Sequence, residues 1–414
     1  MPSFTESLQE ASNALRAGNR VSAWRNLQPA LTYPAGLEMC DDEFAEGLEI
    51  LSNISNGRTS SQAKTALKKA RAEPTDIQAL FDVGSLLRES RLPQIAATAL
   101  ARGNQIAPDI PALVNELSTA LAESGHYREA FEALQAASGA REQDWFTRYL
   151  YSFNALMSGH MVEARQGLAL LGGYHNDEAT VLYDRLARLI NRSRSVGPWT
   201  PLDATDLRGW HYVITGGLIT HLAAGQSNVR NGRYTKVRDS HELMHEGVVR
   251  AATVFDSWDK CPKLVVYSND PSSKIMAHVW HRRIGVPIRP YSPGDPTRDA
   301  MFVAYDLQDA DRSFVDALER RQPGQILFSH ASHWSRDFGC ASDISTYLYE
   351  HNSKPWGADP GPANTIAGRV VATELTRASL HDLAPLARLA RAAGRPEESG
   401  PRDRFCSLAA ALAE

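Results

Sequence analysis

Residues 80–108 set a pattern that the following stretches repeat: Leu80, Val83, Gly84 and Leu87, then Ala96 and Leu100, then Pro108. Ala96, Ala130 and Ala164 are spaced by 34 residues, as are Leu100, Leu134 and Leu168, and Gly84, Ser118 and Ser152. Gly125 and Gly159 follow the same step. Around these positions apolar residues recur at three- and four-residue spacing, which predicts helices. Each series has a physical job. Two helices of a hairpin approach closely only where small residues cross, and Gly84, Ser118 and Ser152 supply these on the first helix, Ala96, Ala130 and Ala164 on the second. The leucines fill the groove behind, the glycines allow positive φ in the turn, and Pro108 closes a unit where the next helix must begin.

A 34-residue helix–turn–helix unit of this kind resembles the tetratricopeptide repeat family. The segment from Leu80 to Pro108 fits its consensus, the next unit matches through Val114, Leu117, Ser118, Leu121, Ala130 and Leu134, and a third keeps Tyr151, Ser152, Ala155, Ala164 and Leu168. An earlier unit is visible in Ala11, Gly18, Ala23 and Leu27, whereas residues 41–74 are helical with little of the signature. The resemblance implies a scaffold over residues 1–193 that binds a protein or peptide, with 176–193 as a capping helix. It places Phe81, Tyr149 and Phe153 on the face that lines the concave groove, where they grip a partner or pack against the C-terminal domain.

The chain has 414 residues with a formal net charge of -4. Two or three domains are expected of this length, and the absence of a basic excess argues against a nucleic-acid surface. Cys40, Cys261, Cys340 and Cys406 are scattered, with no CxxC pair, which suits a reduced cytoplasmic compartment rather than a disulfide framework. No apolar run approaches membrane-span length, and the first residues do not read as a secretory signal.

Residues 194–206, with Gly197, Pro198 and Pro201, read as a linker. Beyond it, residues 207–414 read as an α/β domain with a mostly parallel sheet, three-layered and Rossmann-like. Strands are expected at 210–214, 263–268, 287–290, 301–305 and 325–329, and helices at about 240–258, 272–284 and 310–322. Residues 343–414 are expected to return to helix.

In an open parallel sheet, ligands bind beyond the carboxyl ends of the strands. Three expected post-strand loops therefore hold the candidate residues. In the first, Asp270, Ser272 and Ser273 open a helix that suits an anion or phosphate; Asp270 and Ser272 with Pro271 equally explain an ordinary helix start. In the second, Asp306 would orient a hydroxyl or a metal, or the aspartates of this loop serve the helix dipole. The third carries His330 and His333, candidates for proton transfer, and Arg336, which would neutralise a second charge. Ile284-Gly285-Val286-Pro287 in one βαβ unit resembles the phosphoribosyltransferase arrangement. Tyr305-Asp306 stands where that family has an acidic pair, and the phosphate loop is missing, so the resemblance implies only nucleotide- or phosphate-binding architecture. There is no GxGxxG and no Walker motif.

His241-Glu242-Leu243-Met244-His245 spells HExxH, whose two histidines share a helix face and could bind zinc. The charged Glu246 follows it, position 248 is Val rather than the Gly of the extended motif, and no third-ligand helix is evident, so no metal site is expected. His278 and His281 share a helix and read as surface or core-edge residues. The expectation is a repeat scaffold for protein–protein interaction fused to an α/β domain that binds a small phosphorylated or nucleotide-like ligand. An enzyme acting on a small phosphorylated substrate at the same edge, transferase-like, is the alternative. A zinc metallopeptidase through His241, Glu242 and His245 is the lesser one. The sequence names no cofactor.

Overall fold

The computed structural model of the protein describes residues 3–401 apart from 56–60, 175, 204, 222–228, 231–232, 295–296, 335–338, 358–359, 378 and 397–399. The chain divides into two compact units, Met1–Arg188 and Leu189–Glu414. Among the described residues no helix is long and apolar enough to cross a membrane.

The first unit is helical. It contains α1 (Phe4–Arg16), α2 (Arg20–Leu31), α3 (Asp41–Ile54), α4 (Ser61–Ala72), α5 (Ile77–Glu89), α6 (Pro93–Ile106), α7 (Pro111–Glu123), α8 (Tyr127–Ala136), α9 (Ser138–Gln143), α10 (Trp145–Met157) and α11 (Met161–Leu171), followed by α12 (Asp177–Val196). The helix starts keep the sequence step: Ile77, Pro111 and Trp145 lie 34 apart, and so do Pro93, Tyr127 and Met161. Successive helices pack on one another, α5 on α6, α6 on α7, α7 on α8 and α10 on α11. The pair α3 and α4 also packs together, so this stretch supplies a helix pair despite its weak signature. Residues 194–196, read above as the start of a linker, are the end of α12.

The turns explain the step. Gly18, Gly125 and Gly159 have φ of 76°, 83° and 84°, and Arg91 holds the matching position between α5 and α6 at 62°. In each turn the next residue's N–H reaches back five residues to a helix carbonyl: Asn19 to Ala14, Leu92 to Leu87, His126 to Leu121 and His160 to Ala155, at 2.7–2.9 Å. This is the bonding that closes a helix on a left-handed residue. Asp76 and Asp144 cap α5 and α10 by accepting from the N–H groups of Ala79 and Thr147. At the crossings there is no spare room. A Cβ on Gly84 would lie 2.3 Å from Leu100 Cγ, and one on Gly167 would lie 2.7 Å from Ser152 Cβ.

The second unit is built on a sheet. It contains α13 (Leu207–Thr215), β1 (Leu218–Ile219), β2 (Val229–Arg230), β3 (Arg233–Arg238), α14 (His241–Ser257), β4 (Val265–Tyr267), α15 (Pro271–Ile284), β5 (Ile288–Pro290), β6 (Met301–Asp306), α16 (Arg312–Leu318), β7 (Arg320–Arg321), β8 (Ile326–His333), β9 (Ile344–Ser353), α17 (Ala363–Ala372), α18 (Leu383–Ala393) and β10 (Gly400–Pro401). The strand order is β2-β3-β9-β8-β6-β4-β5, and β1 also pairs with β9. Every pairing from β3 to β5 is parallel, as is that of β1 with β9; β2 is antiparallel to β3. A separate antiparallel ladder joins β10 to β7.

Three expectations are corrected here. Residues 210–214 are helical, because Asp206 caps the segment through the Gly209 N–H and Gly216, at φ 75°, ends it. The whole stretch is buried, and an apolar run buried on all sides has no periodicity to separate helix from strand. Residues 344–353 are not helical but form β9, lodged between β3 and β8; its β-branched and aromatic start, Ile344-Ser345-Thr346-Tyr347, fits a buried strand. The helix expected over 310–322 is α16 alone, closed by the short strand β7.

Gly84→Val tests the repeat crossing. Overpacking against Leu100 is expected to lower unfolding free energy by roughly 1–3 kcal/mol, read from urea denaturation of the full chain. A neutral result would place the crossing elsewhere.

Candidate functional site

Parallel pairing brings the ends of β3, β9, β8, β6 and β4 to one edge of the sheet. The loops after β4 and β6 meet there. Asp270 caps α15 by accepting from the Ser273 N–H at 2.8 Å, Ser273 Oγ accepts from the Tyr305 N–H at 2.9 Å, and Ser268 Oγ accepts from the Asp311 N–H at 3.1 Å. Ser272 and Ser273 are buried. Their positions therefore tie α15 to the end of β6. Asp270 keeps a second oxygen, Oδ2, buried without a partner, and burial pushes its carboxyl above the usual range.

Asp306 ends β6 and is buried. It accepts from the Gln308 N–H at 2.9 Å and, closely, from the Tyr349 hydroxyl. Burial outweighs these bonds and raises its pKa to about 6.

His330 and His333 do not lie in a loop after a strand; both belong to β8, which runs on to His333. His330 has no exposed surface. Its Nδ1 is 3.1 Å from Thr346 Oγ1 and its Nε2 is 3.2 Å from Asp239 Oδ2. The Tyr305 hydroxyl donates to the same Asp239 oxygen at 2.6 Å, and the Ser240 N–H donates to the other at 2.7 Å. Burial, with Asp239 beside it, pushes the Tyr305 phenol far up. His333 is buried with its ring against Tyr349. The sheet thus gathers the expected residues but buries Ser272 and takes Ser273, Asp306 and His330 into its own bonding. Arg336 lies outside the described residues.

In the HExxH stretch, His241 opens α14 behind its cap Ser240. His245 Nδ1 is bonded to the Thr373 carbonyl at 2.8 Å and Glu242 accepts from the Ser379 hydroxyl at 3.1 Å. Among the described residues no group of three or more His, Cys, Asp or Glu side chains is placed to hold a metal ion.

Beside this buried centre opens a cleft of about 240 Å³, lined by His221, Tyr234, Lys236, Arg238, Ser240, Glu242 and Glu246 among others. Strand alternation puts Tyr234, Lys236 and Arg238 on one face of β3. His221 arrives just after β1, where its N–H and that of Thr220 continue the ladder to the Thr346 and Ser345 carbonyls of β9. Its Nδ1 is 2.6 Å from Glu246 Oε1 and its Nε2 is 2.7 Å from the Tyr234 hydroxyl. Burial works to raise the Glu246 carboxyl, but its bonds to His221 and Arg250 prevail and hold it below the usual range. An ionised Glu246 can only accept, so His221 donates from Nδ1 and, when neutral, accepts the Tyr234 proton at Nε2.

Behind Glu246 runs a chain of buried charges. Arg250, wholly buried, donates from Nε to Glu246 at 2.6 Å, from Nη1 to Asp382 and to the Thr220 carbonyl, and from Nη2 to the Ser379 carbonyl at 2.7 Å. Arg208 donates to the other Asp382 oxygen and to the Thr220 carbonyl, both at 3.0 Å. Burial draws the Arg208 guanidinium below its ordinary value even beside Asp382. Sequence reasoning missed this role for His221, Tyr234, Glu246, Arg250 and Asp382, because they come from four separate places in the chain.

In the first unit, Tyr149 and Phe153 stand in a ring ladder with Phe146 and Tyr127, at centroid distances of 6.0–6.3 Å, and both are buried. Phe81 is half-buried against the helical core. The groove expected at these positions is thus filled in part by the rings themselves.

No family model matches the chain, and comparison with curated proteins finds no match. Among solved structures, MamA AMB-1 C2221 is 14% identical over 44% of this chain and 97% of that one, with a TM-score of 0.23. A likeness this slight carries no argument about fold or function.

Two outcomes test the site. Asp382→Ala leaves two buried guanidinium groups without their shared carboxylate, and stability is expected to fall by about 3–5 kcal/mol; a loss under about 1 kcal/mol in denaturant titration would contradict the network. Asp306 binds its proton more tightly folded than unfolded, so the stability it confers is present at low pH and is lost as pH rises from the ordinary carboxyl value of 3.8 through about 6. Asp306→Asn is therefore expected to flatten the stability profile across that window by on the order of 2–3 kcal/mol, read from denaturation midpoints. An unchanged profile would count against the buried-acid reading.

Proposed function

We propose that the protein is a tetratricopeptide-type scaffold that holds a protein or peptide partner, joined to a Rossmann-like α/β unit that binds a small anionic ligand at the carboxyl edge of its sheet. The observation that carries the scaffold reading is the 34-residue register of helix starts, 77, 111 and 145 with 93, 127 and 161, combined with repeated turn bonding. Each hairpin leaves one face of its first helix for a partner, as repeat units stacked in a row do. The ligand reading is supported by the parallel edge, where the connection from β4 leads to β5 on one side and that from β6 leads to β8 on the other. Strand ends that part in this way form a crevice.

A second reading, an enzyme acting on a small phosphorylated substrate, draws on the carboxylate-held imidazole of His221 at the cleft. A positioned imidazole of this kind can take up or give a proton to a reacting group. Asp270, Ser272, Ser273, Asp306, His330 and His333 then serve to shape the edge rather than to touch ligand.

The scaffold reading is tested on the full chain by selecting peptides from a random library and mapping the bound face by hydrogen exchange. Protection on α5, α7 and α10 is expected. Protection confined to residues 189–414, or no selectable peptide, would contradict it.

A further inference from the structure

We propose that the outer face of α15, with the neighbouring part of α17, docks an acidic segment of a partner protein. The surface is separate from the repeat groove and from the sheet edge, and it rests on neither reading above.

α15 buries Ile275, Met276, Ala277, Val279 and Trp280 and so turns Lys274, His278, His281 and Arg282 outward. Lys274, His281 and Arg282 are exposed and His278 is half-buried. Spaced three and four residues apart, these side chains share one side of the helix. The His278 imidazole is drawn below its ordinary value first by burial and then by Lys274, His281 and Arg282, so the cations crowd round it. α17 packs against α15, yet neither helix contains an acidic residue. Asp270, the nearest acid ahead of the stripe, caps α15 through the Ser273 N–H. Lys274 has no hydrogen-bond or ion-pair partner among the described residues. Arg282 Nη2 donates to the carbonyl and Oδ1 of Asn364 at 3.4 and 2.8 Å, and a Cβ on Gly368 would lie 3.6 Å from it. The guanidinium is thus laid across α17 on neutral oxygens, which hold its charge in place without neutralising it.

Such crowding works against the helix. Like charges four residues apart destabilise it, and Lys274 stands at the end of the first turn, where the dipole disfavours a cation. The basic last turn, His281, Arg282 and Arg283, suits the dipole by itself; Lys274 does not. A row of carboxylates along the stripe removes both penalties. From Lys274 to Arg282 the stripe runs about 12 Å along the axis, a span of about four residues of extended chain. A lipid surface fits less well, because none of the large exposed apolar side chains among the described residues lies on α15 or α17 to enter the bilayer. Nucleic acid fits less well too. The one Trp, Tyr or Phe of α15, Trp280, is buried and offers no base a stacking surface, and the chain's net charge of -4 opposes a long polyanion.

The test is fluorescence anisotropy of the full chain with a labelled tetraglutamate peptide, against tetraglutamine, at low ionic strength. Tetraglutamate is expected to bind and tetraglutamine not. Lys274→Gln with Arg282→Gln is expected to weaken binding by about tenfold or more, through loss of charge-assisted bonds. Lys274→Gln alone is expected to weaken it by a smaller factor while the melting temperature holds or rises, since a like-charge contact is relieved. A fall in melting temperature would show that Lys274 serves the fold and overturn the proposal. Lys64→Gln with Lys68→Gln, on the exposed side of α4, is expected to leave binding unchanged; loss there and not in the α15 variant would overturn the location. A wild-type protein that does not bind tetraglutamate, or an α15 variant that binds it equally well, overturns the proposal as well. Phosphatidylcholine vesicles with about one-third phosphatidylserine and a single-stranded oligothymidylate are the rival probes. Tighter binding of either than of the peptide, lost in the α15 variant, would give the face to a membrane or a nucleic acid and overturn the acidic-segment assignment.

Discussion

The α/β unit depends on how it accommodates Arg250. This side chain has no exposed surface, and a buried cation is tolerable only if its donors are taken and its charge is met. Glu246 and Asp382 meet the charge; the Thr220 and Ser379 carbonyls take further donors. These partners fix four pieces of chain at once: the end of β1, the middle of α14, the turn before α18 and, through Asp382, Arg208 on α13. His221 follows Thr220 directly, so the same constraint sets where its imidazole sits. The cleft is a consequence of the charge network behind it.

The second constraint is β9. It is the last strand of the main sheet in the chain, yet it lies between β3 and β8 and carries β1 as well. Its early residues pair with β1 and its later ones with β3, so one strand sets the positions of both. The same strand supplies Thr346 to His330 and Tyr349 to Asp306, which draws both into the interior.

The repeat unit was legible in the sequence because stacked hairpins demand small residues at fixed crossings. Gly84 against Leu100, and Ser152 against Gly167, realise that demand. Arg91 breaks the glycine series because the turn needs a left-handed residue and not specifically a glycine. In the second half the parallel alternation of strands and helices could be read. The run Trp210–Ile214 could not, since burial on every side erases periodicity, and β9 carries a signal only in its β-branched start. The cleft was illegible for another reason. Its parts lie at positions 221, 234, 236, 238, 246, 250 and 382, and no local motif links them. In sequence Glu246 is only a charge that spoils a zinc motif; in the structure it orients His221.

The account therefore turns on the tautomer of a single ring. With Glu246 ionised and bonded to Nδ1, neutral His221 carries its proton on Nδ1 and leaves Nε2 as acceptor. A long-range proton–nitrogen correlation spectrum of the labelled full-length protein near pH 8, with His221→Gln to assign the signal, reads this directly. The account predicts a His221 ring held in the Nδ1–H form. A ring in the Nε2–H form, or one averaging freely between the two, would contradict it.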